Sequence, residues 1–168
     1  TYRFYMKLYR DALGGGADFD SAPGNNLAAS VSIFQGTAAS PFATQFLEAP
    51  TRTNLDLNPG NACLTVPPTV EVEEGLYTFR DIELPIINES YFIVYQRCCR
   101  NQALSNINEP GRSGATYFIE LTPAAQQTCN NSPRFEEFPP FIICVNEPFA
   151  YDLAAQDADG HRLEYEFC

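Results

Sequence analysis

The chain has 168 residues, of which 45% are hydrophobic and 13% aromatic, and it carries 21 acidic against 10 basic side chains for a net charge of −11. The hydrophobic content excludes wholesale disorder, and no apolar run approaches the roughly 20 residues of a membrane-spanning helix. The acidic balance argues against a nucleic-acid partner, whose phosphates require a basic face, and against docking on anionic membranes.

Alternating residues and frequent Gly, Pro and Asn turns predict about seven short strands before residue 122, and no segment has a convincing helical period. This pattern is typical of an antiparallel β-sandwich. We expect a solvated edge at the carboxylate-rich segment 70–74, and a bulge near Arg80 and Asp81, where the apolar phase switches. The predicted strands lie at residues 1–10, 27–33, 43–47, 70–74, 76–84, 91–99 and 115–121.

The segment Tyr91 to Ile107 begins with the most apolar of these strands. It places Phe92 and Val94 on one face and aromatic or β-branched residues on the other, which predicts a central strand buried on both sides. It ends at Cys98 and Cys99. Because successive strand residues point to opposite faces, we expect the two thiols to reach different partners and to fasten this strand end to two other parts of the chain.

Six cysteines occur, an even number with no CxxC spacing, beside a single histidine. A zinc site would need four thiolates without the usual paired spacing, so disulfides explain the composition better. Disulfides imply an oxidising, exported location. The pairing stays open, since six cysteines allow about 15 connectivities. The candidate disulfide residues are Cys63, Cys98, Cys99, Cys129, Cys144 and Cys168.

Proline and asparagine clusters predict a domain boundary, with a first sandwich at residues 1–131 and a Pro-rich linker at 132–140. The segment 141–168 then has the pattern of three strands, at 141–145, 149–154 and 162–167. Three short strands cannot bury a core alone, so we expect residues beyond Cys168 or a neighbouring chain to complete this second domain. Thr1 already lies within a strand pattern and no signal peptide precedes it, so we expect the natural chain to begin upstream.

No catalytic constellation stands out in the sequence. His161 is the single histidine and lies in a short turn, and no Gly-x-Ser-x-Gly motif occurs. The triplet Gly14-Gly15-Gly16 lacks the Gly-Lys-Ser/Thr that a phosphate-binding loop requires. We therefore predict that the chain is not an enzyme.

The turn Asp157-x-Asp159-Gly160 is a candidate calcium site, because alternate carboxylates suit an oxygen-seeking cation, and Asp152 is a candidate third ligand. The alternative is a tight turn in which Asp side chains accept hydrogen bonds from backbone amides. The glutamate at the twelfth position of a helix-flanked calcium loop is absent. No other cofactor is predicted.

Three stretches, YRFYMKLYRD, YFIVYQRCCRN and SPRFEEFPPFIICVNEPFAYDLAAQDADGHRLEYEFC, resemble a module of very long secreted surface proteins of Bacteroidota, of the gliding-motility-associated and PKD-containing class exported by type IX secretion. The resemblance covers most of the chain. It implies an all-β fold, namely an immunoglobulin-like antiparallel β-sandwich followed by the first strands of a second, cadherin-like sandwich. Relatives tend to carry Asp where this chain has His161, and this departure weakens the calcium expectation.

The resemblance also implies O-glycan attachment at Asp-Ser/Thr-aliphatic sites, which Ser21 in Asp20-Ser21-Ala22 fits. For the disulfides, our hypothesis is pairing of Cys63 with Cys99, Cys98 with Cys129, and Cys144 with Cys168.

We therefore expect a structural module of a large exported cell-surface or extracellular filament protein, acting in assembly, extension or adhesion without catalysis. Its expected partners are neighbouring domains of the same long chain, copies of itself in a fibre, and surface glycans, with no nucleic acid and no membrane span. Two alternatives are a carbohydrate-binding module with an exposed aromatic platform and a secreted hydrolase built around His161.

Overall fold

The computed structural model describes residues 1–14, 17–57, 70–102, 104–128, 130–137, 140–141, 143 and 146–166. In this part of the chain a 3-10 turn, Pro110–Arg112, precedes the seventh strand and a four-residue helix α1, Pro123–Gln126, follows it. The strands are β1 Tyr5–Asp11, β2 Ser30–Gln35, β3 Ala43–Phe46, β4 Thr51–Asn54, β5 Val72–Thr78, β6 Tyr91–Arg97, β7 Ala115–Leu121, β8 Arg134–Phe135 and β9 Ala155–Gln156.

Two antiparallel sheets form a sandwich, one of three strands in the order β1-β5-β4 and one of four in the order β3-β2-β6-β7. Both sheets contribute to one apolar core, so the all-β, immunoglobulin-like sandwich predicted from the sequence is confirmed. The core consists of Phe19, Ala22, Ala29, Val31, Ile33, Leu47, Tyr77, Phe79, Leu84, Tyr91, Ile93, Tyr95 and Leu121.

Strand β6 is central in its sheet, as the sequence predicts, and pairs with β2 on one side and β7 on the other. Tyr91, Ile93 and Tyr95 are buried against the other sheet. Phe92 and Val94 on the opposite face are only half-buried. The prediction of burial on both sides therefore holds for one face of the strand.

The expected solvated edge at residues 70–74 is wrong, because β5 lies between β1 and β4 in the middle of its sheet. Its carboxylates are half-buried and have partners on the neighbouring strands: Arg10 Nε donates to Glu73 Oε2 at 2.7 Å and Lys7 Nζ to Glu74 Oε2 at 3.1 Å. The charge run thus serves cross-strand ion pairs rather than an edge. Its second neighbour, β4, has the polar sequence TRTN, which lacks the apolar alternation that predicts a strand.

The expected bulge near residue 80 is also replaced by another arrangement. Strand β5 ends at Thr78, and Ile82 pairs once more with Tyr2 as an isolated bridge. The two residues exchange backbone hydrogen bonds of 2.8 and 2.9 Å. The switch of apolar phase therefore reflects a break in the strand.

The second predicted unit differs from the expectation. Strand β8 falls within the predicted linker at 132–140 and pairs with β9, and the described residues 149–154 and 162–166 contain no other strand. Two aromatic residues in these stretches stay exposed, Phe149 by 53% and Tyr165 by 58%, because no sheet in the described part of the chain lies over them. The predicted strand at 141–145 lies mostly outside the described residues.

Gly75 in the middle of β5 is in close contact with the Phe19 ring. A Cβ atom at this position would lie 2.9 to 3.0 Å from three ring carbons. Phe19 is only 1% exposed, and the guanidinium groups of Arg10 and Arg52 each lie 5.4 Å from its ring centroid, so the ring has little room to move.

We predict that Gly75→Ala lowers the free energy of unfolding by about 1–3 kcal/mol, the usual cost of overpacking a buried site, although alanine suits a strand better than glycine. Urea denaturation measures this. In a Phe19→Leu background, Gly75→Ala should lower the free energy of unfolding much less, because the Phe19 ring carbons that the new Cβ atom would meet are absent. A neutral or stabilising Gly75→Ala variant contradicts the prediction.

Candidate interaction site

The loop between β1 and β2 places Phe19 and Asp20 inside the sandwich. The Asn25 side-chain amide donates to the carbonyls of Asp18 and Phe19 at 3.1 and 2.8 Å, and the Ser21 hydroxyl accepts from the Ala29 backbone N–H at 2.8 Å. These bonds fold the loop so that three consecutive residues, Asp18 to Asp20, contact both sheets.

Asp20 is 5% exposed and joins the two sheets. Tyr95 of β6 donates its hydroxyl to Asp20 Oδ2 at 2.7 Å, and Tyr77 of β5 donates to the Asp20 carbonyl oxygen at 2.7 Å. Arg97 Nη2 lies 3.4 Å from Oδ1, but Oδ1 accepts no hydrogen bond, so this contact is a long ion pair. Arg97 also donates to the Asp18 carbonyl oxygen.

Asp18 lies at the other end of this loop segment, between two arginines. Arg52 Nη2 donates to both carboxylate oxygens at 2.8 and 2.9 Å, and Arg10 Nη1 lies 3.2 Å away. Burial opposes ionisation, but the bonds from Arg52 and the Phe19 backbone N–H, with the charges of Arg10 and Arg52, outweigh it and hold the pKa of Asp18 below its ordinary value. Asp18 is therefore ionised at neutral pH.

Sequence reasoning missed this cluster, which we call the Asp18–Asp20 clamp: Arg10, Asp18, Phe19, Asp20, Arg52, Glu73, Tyr77, Tyr95 and Arg97. Its members lie on β1, β4, β5, β6 and the loop, and the hydrogen-bonded pair Arg97 and Asp18 is separated by 79 residues in sequence. The one local signal is an aromatic residue flanked by two acids, Asp18-Phe19-Asp20, in a loop of mostly small residues.

A cleft of about 310 Å³ opens beside the clamp, between β1 and the ends of β6 and β7. The rings of Tyr95 and Tyr117 are stacked here with centroids 6.3 Å apart. Aromatic faces beside guanidinium groups suit a polar organic ligand, which stacks on the rings and accepts hydrogen bonds from the arginines. The main side chains that line the cleft are those of Tyr9, Arg10, Tyr95, Arg97, Arg100 and Tyr117.

Strand β7 is one of the two edge strands of the four-stranded sheet. Tyr117 is 50% exposed, Phe118 63% and Ile119 47%. Successive strand residues point to opposite faces, so β7 presents apolar side chains on both of its faces. The sequence correctly predicts this strand, but alternation cannot tell that neither face is covered from Thr116 to Glu120.

Cys98 and Cys99 are joined to each other by a disulfide and lie exposed just beyond β6. The hypotheses that pair Cys98 with Cys129 and Cys99 with Cys63 are therefore wrong. They relied on strand alternation continuing to Cys99, whereas β6 ends at Arg97. The other four cysteines lie outside the described residues, so pairing of Cys144 with Cys168 stays a prediction.

The candidate calcium turn at Asp157 to Gly160 has the geometry of a tight turn in which Asp side chains accept hydrogen bonds from backbone amides. Asp157 Oδ1 accepts from the backbone N–H groups of Asp159 and His161 at 2.9 and 3.0 Å, and His161 Nδ1 lies 3.3 Å from the same oxygen. Asp159 accepts from Asn131, and Asp152 accepts from the Ala154 backbone N–H. Within the described residues, one ligand atom from each of Asp157, Asp159 and His161 lies within 4.8 Å of the others, and Asp152 is not in this group. Calcium binding stays a prediction.

The other two candidate residues have different settings. Ser21 has a φ of 58° and lies between two buried residues, Asp20 and Ala22. Its hydroxyl oxygen accepts a hydrogen bond from the Ala29 backbone N–H, so a glycan on Ser21 would have to be attached before this loop closes. His161 is exposed, and in the described part of the chain no serine, threonine or cysteine bonds to its ring.

No family model, no curated protein and no solved structure matches the chain. Among the described residues, no helix is long and apolar enough to span a bilayer. The protein belongs to the class of all-β, immunoglobulin-like antiparallel sandwiches, and it has a polar clamp, a tyrosine- and arginine-lined cleft and an open apolar edge.

We predict that Tyr95→Phe lowers the free energy of unfolding at pH 7 by about 1–3 kcal/mol, because buried Asp20 Oδ2 loses its donor. Urea denaturation measures this. Tyr117→Phe is the matched control, since its stacked ring is half exposed and should change stability little. Equal effects of the two substitutions contradict the role of the Tyr95 hydroxyl.

The same variant has a signature at high pH. Burial, then the hydrogen bond to Asp20 and its charge, raise the pKa of Tyr95 well above its ordinary value. Above about pH 10 the Tyr95 hydroxyl loses its proton in the unfolded chain but keeps it in the folded chain. The contribution of Tyr95 to the free energy of unfolding is therefore fully present below about pH 10 and falls as the pH rises. The decline of the urea midpoint above pH 10 should be shallower in Tyr95→Phe than in the wild type.

Proposed function

We propose that this chain is a structural module of a large exported cell-surface or extracellular filament protein, of the gliding-motility-associated class that type IX secretion exports in Bacteroidota. It acts in assembly, extension or adhesion and performs no catalysis. Its partners are neighbouring modules, copies of itself and surface glycans, and its location is the cell exterior.

The observation that carries the proposal is the open apolar edge at β7, beside an apolar core to which both sheets contribute. Tyr117, Phe118 and Ile119 are each close to half exposed or more on one seven-residue strand. An uncovered edge strand with apolar side chains is a template for pairing with another polypeptide. A module that works by joining others needs such a surface.

The Asp18–Asp20 clamp supports the same role. Asp20 bonds to tyrosines of both sheets, and Arg52 of β4 and Arg97 of β6 contact one loop from opposite sheets. Charge-assisted bonds that cross between sheets oppose sliding of one sheet over the other. The disulfide between Cys98 and Cys99 is in keeping with an oxidising exterior.

The test uses the native protein from its source. We expect antibodies to label it on unpermeabilised cells, and we expect non-reducing mass spectrometry to find it within a species far larger than 18.7 kDa. A thiol-reactive maleimide should leave Cys98 and Cys99 unmodified until reductant is added. An intracellular monomer of the size of this chain with free thiols at both positions rejects the proposal.

A second candidate, carbohydrate binding, is supported by the cleft between β1 and β7. Tyr9 and Tyr117 offer partly exposed rings, and Arg10, Arg97 and Arg100 line the same opening, so the cleft has the stacking faces and donors that sugar recognition uses. This function is compatible with an adhesive module and differs from a purely structural one in requiring a specific glycan.

A glycan array separates these two candidates. If the cleft binds sugar, Tyr9→Ala should abolish the signal, whereas Tyr5→Ala should retain it, because Tyr5 is an exposed tyrosine on the same strand that does not line the cleft. Absence of any glycan signal from the wild-type chain, or equal loss in both variants, rejects the second candidate.

A further inference from the structure

The four edges of the two main sheets differ in how they are protected. Strands β3 and β4 have four residues each, and β1 carries Lys7, Arg10 and Asp11. Short length and charge are the ordinary devices that keep a sheet edge from pairing with another chain. Strand β7 has seven residues, ATYFIEL, with no proline and with Glu120 as its one charge.

From Ala115 to Glu120, the backbone edge of β7 that faces away from β6 has no hydrogen-bond partner among the described residues. Phe118 lies on the outer face of the sheet, where its ring is 6.3 Å from the ring of Phe92. Tyr117 and Ile119 lie on the opposite face. A pairing strand would therefore find both a free backbone edge and apolar contacts above and below it.

We propose that β7 is the interface at which two copies of this chain pair edge to edge, antiparallel about a two-fold axis at Phe118, so that two four-stranded sheets become one continuous sheet. This inference rests on the proposed function and names its partner. In this register Phe118 lies opposite Phe118, Tyr117 opposite Ile119, and Thr116 opposite Glu120 of the other copy.

The distribution of charge favours a second copy over an unrelated strand. Arg112 lies three residues before Ala115, the first residue of β7, and forms an ion pair of 3.8 Å with Glu109. Arg100 Nε donates to the Gly114 carbonyl at 3.3 Å, so two arginines against one glutamate leave the start of the strand basic. Its end is acidic, with Glu120 and the exposed Glu89. Antiparallel pairing places the basic end of one copy over the acidic end of the other, which makes the surface self-complementary.

The association should be weak. Each copy carries a net charge of −11, and the two repel beyond the contact itself. Pairing of one seven-residue strand buries a small interface, of the size found in transient complexes below about 1,200 Å². We therefore expect a dissociation constant on the order of micromolar and a dimer that dissociates on dilution.

Sedimentation equilibrium of the 168-residue chain across a concentration series tests the pairing. Phe118→Lys places two like charges opposite each other at the axis and should weaken the dimer about tenfold or more. Phe46→Lys is the matched control: Phe46 is 66% exposed on β3, the other edge of the same sheet, and its substitution should leave the dimer unchanged. Circular dichroism verifies that both variants fold.

Thr116→Lys tests the register without removing an apolar contact. It places a lysine opposite Glu120 of the other copy and should strengthen the dimer about twofold to fivefold, as an exposed cross-strand ion pair does. A wild-type chain that stays monomeric at all concentrations, a dimer equally weakened by Phe118→Lys and Phe46→Lys, or one that Thr116→Lys does not strengthen overturns the proposal.

These outcomes differ from those that bear on the proposed function. A monomeric chain that is nevertheless found at the cell exterior within a much larger species would reject self-pairing at β7 and leave the structural role standing, with β7 then free for an extended segment of a neighbouring module.

Discussion

Asp20 is the residue on which the arrangement of the sandwich depends. It is buried, it accepts a hydroxyl from β6 through its carboxylate and one from β5 through its carbonyl, and it faces Arg97. A buried carboxylate is costly unless it is hydrogen-bonded and paired, so the surrounding residues are constrained to keep these partners in place. The loop that carries it is thereby fixed between the sheets, with Phe19 in the core.

The open edge and the closed interior are complementary features. The three-stranded sheet has one strand fewer than its partner, and on the inner face of β7 Leu121 is buried whereas Tyr117 and Ile119 remain about half exposed. The cleft occupies the space that this difference in strand number leaves. The open edge that is proposed to pair with another chain and the cleft that is proposed to bind a glycan both result from this difference in strand number. Tyr117 belongs to both sites.

Much of the sandwich is predictable from local alternation, because β2 and β6 each bury one face and β1 half-buries one. Strand β7 alternates in the same way, although Leu121 is its one buried residue. The clamp is not predictable in this way, since Tyr95 and Asp20 are 75 residues apart and only the fold brings them together. The partial burial of the β5 carboxylates could not be predicted from the sequence, because a run of charged residues is also typical of a solvated edge. Only the fold brings Arg10 and Lys7 next to Glu73 and Glu74. The cysteine pairing failed because β6 ends one residue before Cys98.

Strand β1 pairs only with β5 in the described part of the chain, Tyr5 with Thr78 and Asp11 with Val72. The intervening strands β2 and β3 belong to the other sheet, and β4 joins the far side of β5. As the nascent chain emerges, β1 therefore has no sheet to join until β5 has been made, and closing so long a loop is slow compared with forming a hairpin. The three-stranded sheet closes late, and its N-terminal aromatic residues stay solvent-accessible until it does.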